Sequence, residues 1–123
     1  MSAHIIDGKA ISLSIRKNIK EQVDKLKQRF DKVPGLAVVL VGDDPASQIY
    51  VRNKEKACKD VGIYSEIYRL EKNISENRLL ELIGDLNDSS DINGILVQLP
   101  LPDHISEMAV IRTISPDKDV DGF

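Results

Sequence analysis

Six consecutive apolar residues, Leu36-Ala-Val-Val-Leu-Val41, run directly into Gly42-Asp43-Asp44-Pro45. A strand with one wet face alternates apolar and polar side chains, whereas a run that is apolar throughout is covered on both faces, as in a parallel sheet. The residues that follow carry helix start and stop signals. Asp44 is a good N-cap, Pro45 lacks only an N–H that the first helical turn would leave orphaned, and Gly62 suits a left-handed stop. The stretch from Val41 to Gly62 therefore predicts a strand end, a turn, and a helix from about Pro45 to Val61.

The rest of the chain repeats this alternation. Ile5 and Ile6 before Asp7-Gly8 predict a short edge strand. Ile11, Ile15, Ile19, Val23, Leu26 and Phe30 then recur every three or four residues, which predicts a long amphipathic helix ending before Pro34-Gly35. Ile63–Leu70 is β-rich but carries polar residues, so its strand should be less buried than the first. Ser75 caps a third helix with Leu79, Leu80, Leu82, Ile83 and Leu86 inward. Asn87-Asp-Ser-Ser-Asp91 reads as a loop. Ile92–Pro100 is another buried strand, with one polar side chain, Gln98, near its end, and a short helix from about Ser106 to Ile114 follows. Strands alternating with helices imply right-handed crossovers and an α/β fold: an open, mostly parallel sheet with helices on both faces, a three-layer αβα arrangement. Ligands in such sheets bind beyond the carboxyl ends of the strands, which gathers Gly42–Ser47 and Gln98–Leu101 at one edge.

Composition narrows the partners. A 123-residue chain with 41% hydrophobic residues is one domain's worth and can bury a core. A net charge of -3, with acids and bases interspersed, argues against a nucleic-acid or anionic-membrane surface. The single Cys58 can form no internal disulfide and has no Cys or His companion for a metal site, which suggests a reducing compartment and a packed helix residue. No apolar run approaches a membrane span, and the first residues lack a signal-peptide core, so a cytoplasmic location is expected. The default partner is a small molecule or a protein.

Placed at 100° per residue, Ala46, Ile49, Tyr50, Asn53, Lys54, Ala57 and Val61 share one stripe of the second helix, and Lys54 is expected on its inward side. Such a lysine either snorkels out along its methylenes or ends in a polar cavity against a ligand or hydrogen-bonding partner. Tyr50, one turn earlier on the same face, places a ring and a hydroxyl beside the amine. Gln98, in an apolar strand, must be hydrogen-bonded or near solvent. Asp119 and Asp121 read by composition as part of a solvated turn. Asp43-Asp44 after a buried strand also suggests a receiver-type phosphoacceptor, but the comparable later strand offers Gln98 and Pro100 rather than a further acid. Tyr50-x-x-x-Lys54 matches the pair of short-chain dehydrogenases, yet no Gly-x-Gly fingerprint is present. His4 and His104 are isolated, as surface or loop residues are.

Three motifs in order, Val-Gly-Asp-Asp-Pro-Ala-Ser-Gln-Ile-Tyr-Val-Arg-Asn-Lys-Glu-Lys-Ala-Cys, Asn-Gly-Ile-Leu-Val-Gln-Leu-Pro-Leu-Pro and Pro-Asp-Lys-Asp-Val-Asp-Gly-Phe, resemble the bifunctional methylenetetrahydrofolate dehydrogenase/methenyltetrahydrofolate cyclohydrolase family. The resemblance covers residues 1–123 and corresponds to that family's N-terminal, folate-binding catalytic domain; the family's C-terminal Rossmann-type NADP domain has no counterpart here. It implies Lys54 as the catalytic lysine, Tyr50 as the aromatic residue against the folate, and Gln98 as the amide that orients the lysine. It further implies Asp121 as a grip on the pterin, Ser47 in the same polar network, and Leu99, Pro100 and Leu101 along the pocket. A tetrahydrofolate derivative would be the substrate, with NADP held mainly by the other domain and a homodimer for the intact enzyme. The reaction class fits the residues: hydrolysing a methenyl cation requires water to lose a proton as it attacks, and a neutral amine can take it. The competing reading is a fragment that binds folate or a partner and turns nothing over without the NADP domain.

Overall fold

Gly35–Val41 forms the predicted buried strand (β1), every residue of it at least half-buried. The computed structural model describes residues 8–120, so the strand expected at Ile5–Ile6 lies outside the described residues. Around β1 the chain lays down a helix at Gly8–Phe30 (α1), one at Pro45–Val61 (α2), a strand at Tyr64–Leu70 (β2) and a helix at Glu76–Asp88 (α3). A strand at Gly94–Val97 (β3), a helix at Glu107–Thr113 (α4) and a single 3-10 turn at Pro116–Lys118 complete it. The three strands are parallel in the order β2-β1-β3, with β1 in the centre. Gly35 to Val41 pair with Tyr64 to Leu70, and Leu36 to Val39 pair with Gly94 to Val97. A further parallel bridge joins Ile95 to Asp119, so the chain leaving the 3-10 turn runs beside β3.

Alternation along β1 and β3 divides the core in two. Ala37, Val39, Val41, Ile95 and Val97 face Leu79, Ile83 and Leu86 of α3 and Val110 of α4. Val38, Leu40 and Leu96 face Val51 of α2 on the other side. Helices therefore cover both faces, as the apolar runs predict. Leu79 and Ile83 are fully buried, and each stabilises the fold by about 1.5–3 kcal/mol relative to an exposed position. β2, at the edge, is the least buried strand, as its polar residues foretold.

Three expectations need correction. The apolar stripe of α1 is buried at Val23 and half-buried at Ile19, but Ile15, Leu26 and Phe30 are exposed, as is Leu13. Periodicity shows that a face can be covered; it does not show what covers it. On α2 the buried stripe is Ser47, Val51, Cys58 and Val61, not the Ala46/Ile49/Tyr50 line, and Ile49 and Tyr50 are exposed. At 100° per residue the two faces differ by roughly 90°, and Lys54 falls on the seam between them. Counting Ala46 and Ile49 as inward and leaving Ser47 off the stripe produced the offset. β3 is also shorter than expected, ending at Val97, so Gln98 stands just past the strand.

The two signals that bound α2 are present as read. Asp44 caps it, its carboxylate accepting from Ser47 N at 2.9 Å, and Gly62 closes it at φ 83°, where glycine carries no Cβ penalty. Gly42, at φ 90°, lets β1 turn sharply into that cap.

Candidate active site

The carboxyl ends of β1 and β3 deliver the site. β1 ends at Val41, and its turn starts α2, which carries Ser47, Tyr50 and Lys54. Next to it, Gln98 N donates to Val39 O at 2.9 Å, extending the β1–β3 ladder one residue beyond β3 and fixing where the Gln98 side chain leaves the sheet. Its amide then spans two partners. Lys54 Nζ donates to Gln98 Oε1 at 2.6 Å, and Gln98 Nε2 donates to Leu99 O at 3.2 Å. Ser47 Oγ reaches the same carbonyl at 3.5 Å, the outer limit of a hydrogen bond. Ser47 is only 2% exposed, the single polar side chain in the described core, and this contact is what its hydroxyl finds there.

Lys54 is thus half-buried and aimed, not snorkelling. Tyr50, one turn before it, is 55% exposed and stands over the opening. Arg16, Tyr50, Asn53, Lys54, Ala57 and Gln98 line a cleft of about 330 Å³. No carboxylate is among these lining residues, so the lysine keeps an amide as its partner. Cys58, one turn beyond Lys54 on the buried stripe, has its thiol pushed up from the ordinary 9.0, first by burial and then by the negative charge of Glu55. It is a packed residue, as expected.

The other expected residues fall differently. Leu101 is buried in the core between the sheet and α3/α4, Leu99 packs against that core, and Pro100 is exposed after a cis peptide bond from Leu99. None of the three side chains lines the Lys54 cleft; the segment contributes through the Leu99 carbonyl. Asp121 lies outside the described residues, as does His4. His104 Nε2 sits 2.7 Å from Ile74 O, a loop contact, and does not line the Lys54 cleft. Among the described residues no group of His, Cys, Asp and Glu could hold a metal ion.

Sequence reading missed Arg16 and the supports behind the strand ends. Arg16 reaches the cleft because α1 docks on α2, and no local signal announces that docking. Asn87, read as the start of a loop, donates to Thr113 O at 2.7 Å and accepts from Ser115 N at 2.9 Å, tying α3 to the end of α4. Lys118 Nζ caps the C-terminal end of α3 through Leu86 O and Ser89 O, at 3.0 and 2.7 Å. A larger hollow, about 1370 Å³, is lined by Leu26, Phe30, Val33, Ile63, Tyr64 and Asn93, but it lies at the amino ends of the strands, the opposite edge from Lys54.

The family model of the tetrahydrofolate dehydrogenase/cyclohydrolase catalytic domain matches residues 6–121. The chain belongs to this family. The bifunctional protein FolD of Moorella thermoacetica is 58% identical over all 123 residues, which make up 44% of that protein. Among solved family structures, a methylenetetrahydrofolate dehydrogenase from the silkworm Bombyx mori superposes with a TM-score of 0.95 at 43% identity, over 98% of this chain and 42% of that one. The Trypanosoma brucei dehydrogenase-cyclohydrolase, solved with NADP and an inhibitor, gives 0.93 at 36% identity, over 98% and 41%. The chain thus spans less than half the length of these tetrahydrofolate dehydrogenase/cyclohydrolase relatives. The open parallel sheet read from the sequence is the fold of the family's catalytic domain.

Proposed function

We propose that residues 1–123 form the folate-binding catalytic domain of an enzyme that interconverts methylene-, methenyl- and formyl-tetrahydrofolate, with the cyclohydrolase step seated on Lys54. The observation that carries this reading is the 2.6 Å contact from Lys54 Nζ to Gln98 Oε1, beside an exposed tyrosine ring in a cleft at the carboxyl edge of the sheet. Held by Gln98 at the edge of this cleft, the amine is placed to take a proton from a group bound there. A water molecule held there can attack the methenyl carbon while its proton passes to Lys54; the C–O bond forms and the π electrons of the cationic C–N unit move onto nitrogen. Breaking one C–N bond then gives the formyl product, with one proton released overall. Gln98 is suited to its part because an amide orients the amine without the charge pairing that would hold it as ammonium. Tyr50 offers its ring face to the flat parts of a folate, and Asp121 supplies a carboxylate for the donor-rich edge of the pterin.

NADP does not fit the described residues. The βα turn that would receive a pyrophosphate is Gly42-Asp43-Asp44, where two acids stand and the Asp44 carboxylate already occupies Ser47 N–H. Hydride transfer is accordingly left to the remainder of the enzyme, where NADP binds. No homodimer contact is assigned to this segment. Among the described residues no helix is long and apolar enough to cross a membrane, and we keep the cytoplasm as the expected location.

Calorimetric titration of the 123-residue chain with a non-reactive folate analogue, followed by hydrolysis of methenyltetrahydrofolate, tests the reading. Saturable binding weakened by Tyr50→Ala, with turnover lost in Lys54→Met, is expected. Binding without turnover would leave the non-catalytic reading standing.

A further inference from the structure

Lys118 stands in the 3-10 turn, half-buried, with its ammonium donating to both Leu86 O and Ser89 O. The two carbonyls lie at the carboxyl end of α3, where a positive charge is favoured. The last turn of α3 has no basic residue of its own, so the cation is brought back from beyond α4. Capping alone would need only a lysine within that turn; the longer reach also fixes where the chain around Lys118 lies. Asn87, at the same helix end, fixes it upstream through Thr113 O and Ser115 N. Immediately after Lys118, Asp119 bridges Ile95 in parallel, and Val120 fills the space over Gly94, where an added methyl group would lie 2.6 Å from Val120 Cγ1. A parallel neighbour advances with β3 residue for residue, so the direction set at Asp119 runs from the start of β3 toward Val97 and the Lys54–Gln98 contact.

We propose that Lys118 is a positioning residue for folate binding: by tying the segment after α4 to the end of α3, it sets the register in which Asp121 is presented to the pterin. The proposal rests on the folate reading above and on the part given there to Asp121. Lys118 itself touches no substrate; it acts through the fraction of molecules whose segment is in register. A ligand that needs the ordered state binds more weakly in inverse proportion to that fraction, so a segment in register about a tenth to a fifth of the time raises the dissociation constant about five- to tenfold. The loss cannot exceed that of removing the Asp121 carboxylate, since nothing else is being positioned.

The test is calorimetric titration of the 123-residue chain with folinate, with urea unfolding confirming that each protein is folded under the titration conditions. Wild type is compared with Lys118→Met, Lys118→Arg, Val120→Gly and Asp121→Ala, and the first and third changes are repeated in the Asp121→Ala background. The expected result is that Lys118→Met weakens binding about five- to tenfold, that Lys118→Arg, which keeps donors for the two carbonyls, recovers most of the loss, and that Lys118→Met costs nothing further once Asp121→Ala has been made. A lysine that only caps α3 would leave the affinity of the folded chain unchanged, or weaken it by the same factor with and without the Asp121 carboxylate; either result overturns the proposal and leaves the folate site intact. Should Lys118→Met fail to fold, Val120→Gly decides, because Val120 is exposed and its loss loosens the segment without touching the clamp. Wild-type affinity in Val120→Gly overturns the proposal, and a loss that vanishes in the Asp121→Ala background upholds it. Wild-type affinity in Asp121→Ala also overturns it, since there is then no group to position. Failure of the folded wild-type chain to bind folinate overturns the folate reading, and the role of Lys118 with it.

Discussion

Lys54 Nζ and Gln98 Oε1 meet at 2.6 Å although 44 residues separate them in the chain. One stands on a helix and the other just past a strand, so the contact exists only when α2 and the β1–β3 ladder are both in place. Lys54→Met, which keeps the length and apolar stem, should leave the thermal transition close to wild type and reduce hydrolysis of methenyltetrahydrofolate by about 100-fold or more. Gln98→Glu should also slow the reaction, because a carboxylate in contact holds the lysine as ammonium. Full activity in either variant, measured by loss of the methenyl chromophore, would remove Lys54 from the mechanism.

In the proposed function Tyr50 contributes through its ring. Since it is exposed, Tyr50→Ala should cost little stability but weaken folate binding by about 0.5–1.5 kcal/mol, the usual worth of an aromatic contact. Tyr50→Phe should bind as wild type does. Calorimetry on the three proteins separates the ring from the hydroxyl.

Asn87 should matter more for stability than its loop-like surroundings suggest. Asn87→Ala leaves Thr113 O and Ser115 N without their partners, at a cost of about 1–3 kcal/mol in urea unfolding. Asn87→Asp keeps the acceptor for Ser115 N but sets a carboxylate oxygen against Thr113 O, so it should destabilise the fold as well.

At Gly35 an added methyl group would collide with the Asp91 carbonyl, which is backbone and cannot move aside cheaply. Gly35→Ala should therefore destabilise the fold by about 1–3 kcal/mol or more, as overpacking does. Gly84, which has nothing within 4 Å of the same position and is helical, is the control: Gly84→Ala should be neutral or stabilising.

The Cys58 thiol, raised from 9.0 by burial, holds its proton in the folded chain at a pH where an unfolded thiol has begun to lose it. The unfolded state then binds fewer protons, so this group's contribution is complete below pH 9.0 and declines as pH rises past the ordinary value toward the raised one. Alkylation of the native chain should be slow at pH 8 and accelerate on denaturation; Cys58→Ala should flatten the alkaline side of the stability profile.

Much of this was legible because local signals carried it. Asp44, Pro45 and Gly62 bound α2 through backbone chemistry that needs no tertiary knowledge, and the apolar runs of β1 and β3 announce burial on both faces. What local signals cannot supply is which neighbour covers a face. The stripe of α1 promised burial that the described residues provide at Val23, and α2 was turned by about 90° because a buried Ser47 is stabilised by a carbonyl 52 residues away. Tyr50, Lys54 and Gln98 were singled out from residue type and spacing joined to the family motifs, and the structure brings the three together. Arg16, Asn87 and Lys118 were not, since each acts across elements whose approach no pattern records.

The hydrogen bond from Gln98 N to Val39 O makes the site a gauge of strand register. A strand advances about 3.3 Å per residue and returns a side chain to the same face only after two, so the smallest slip of β3 along β1 that preserves the core would carry Gln98 about 6.6 Å from its place. That is more than twice the length of its bond to Lys54. A misregistered sheet could still bury valines and leucines and look native to circular dichroism, but it would have no aimed lysine. For this domain, an intact Lys54–Gln98 contact is a stricter proof of correct folding than compactness or helix content.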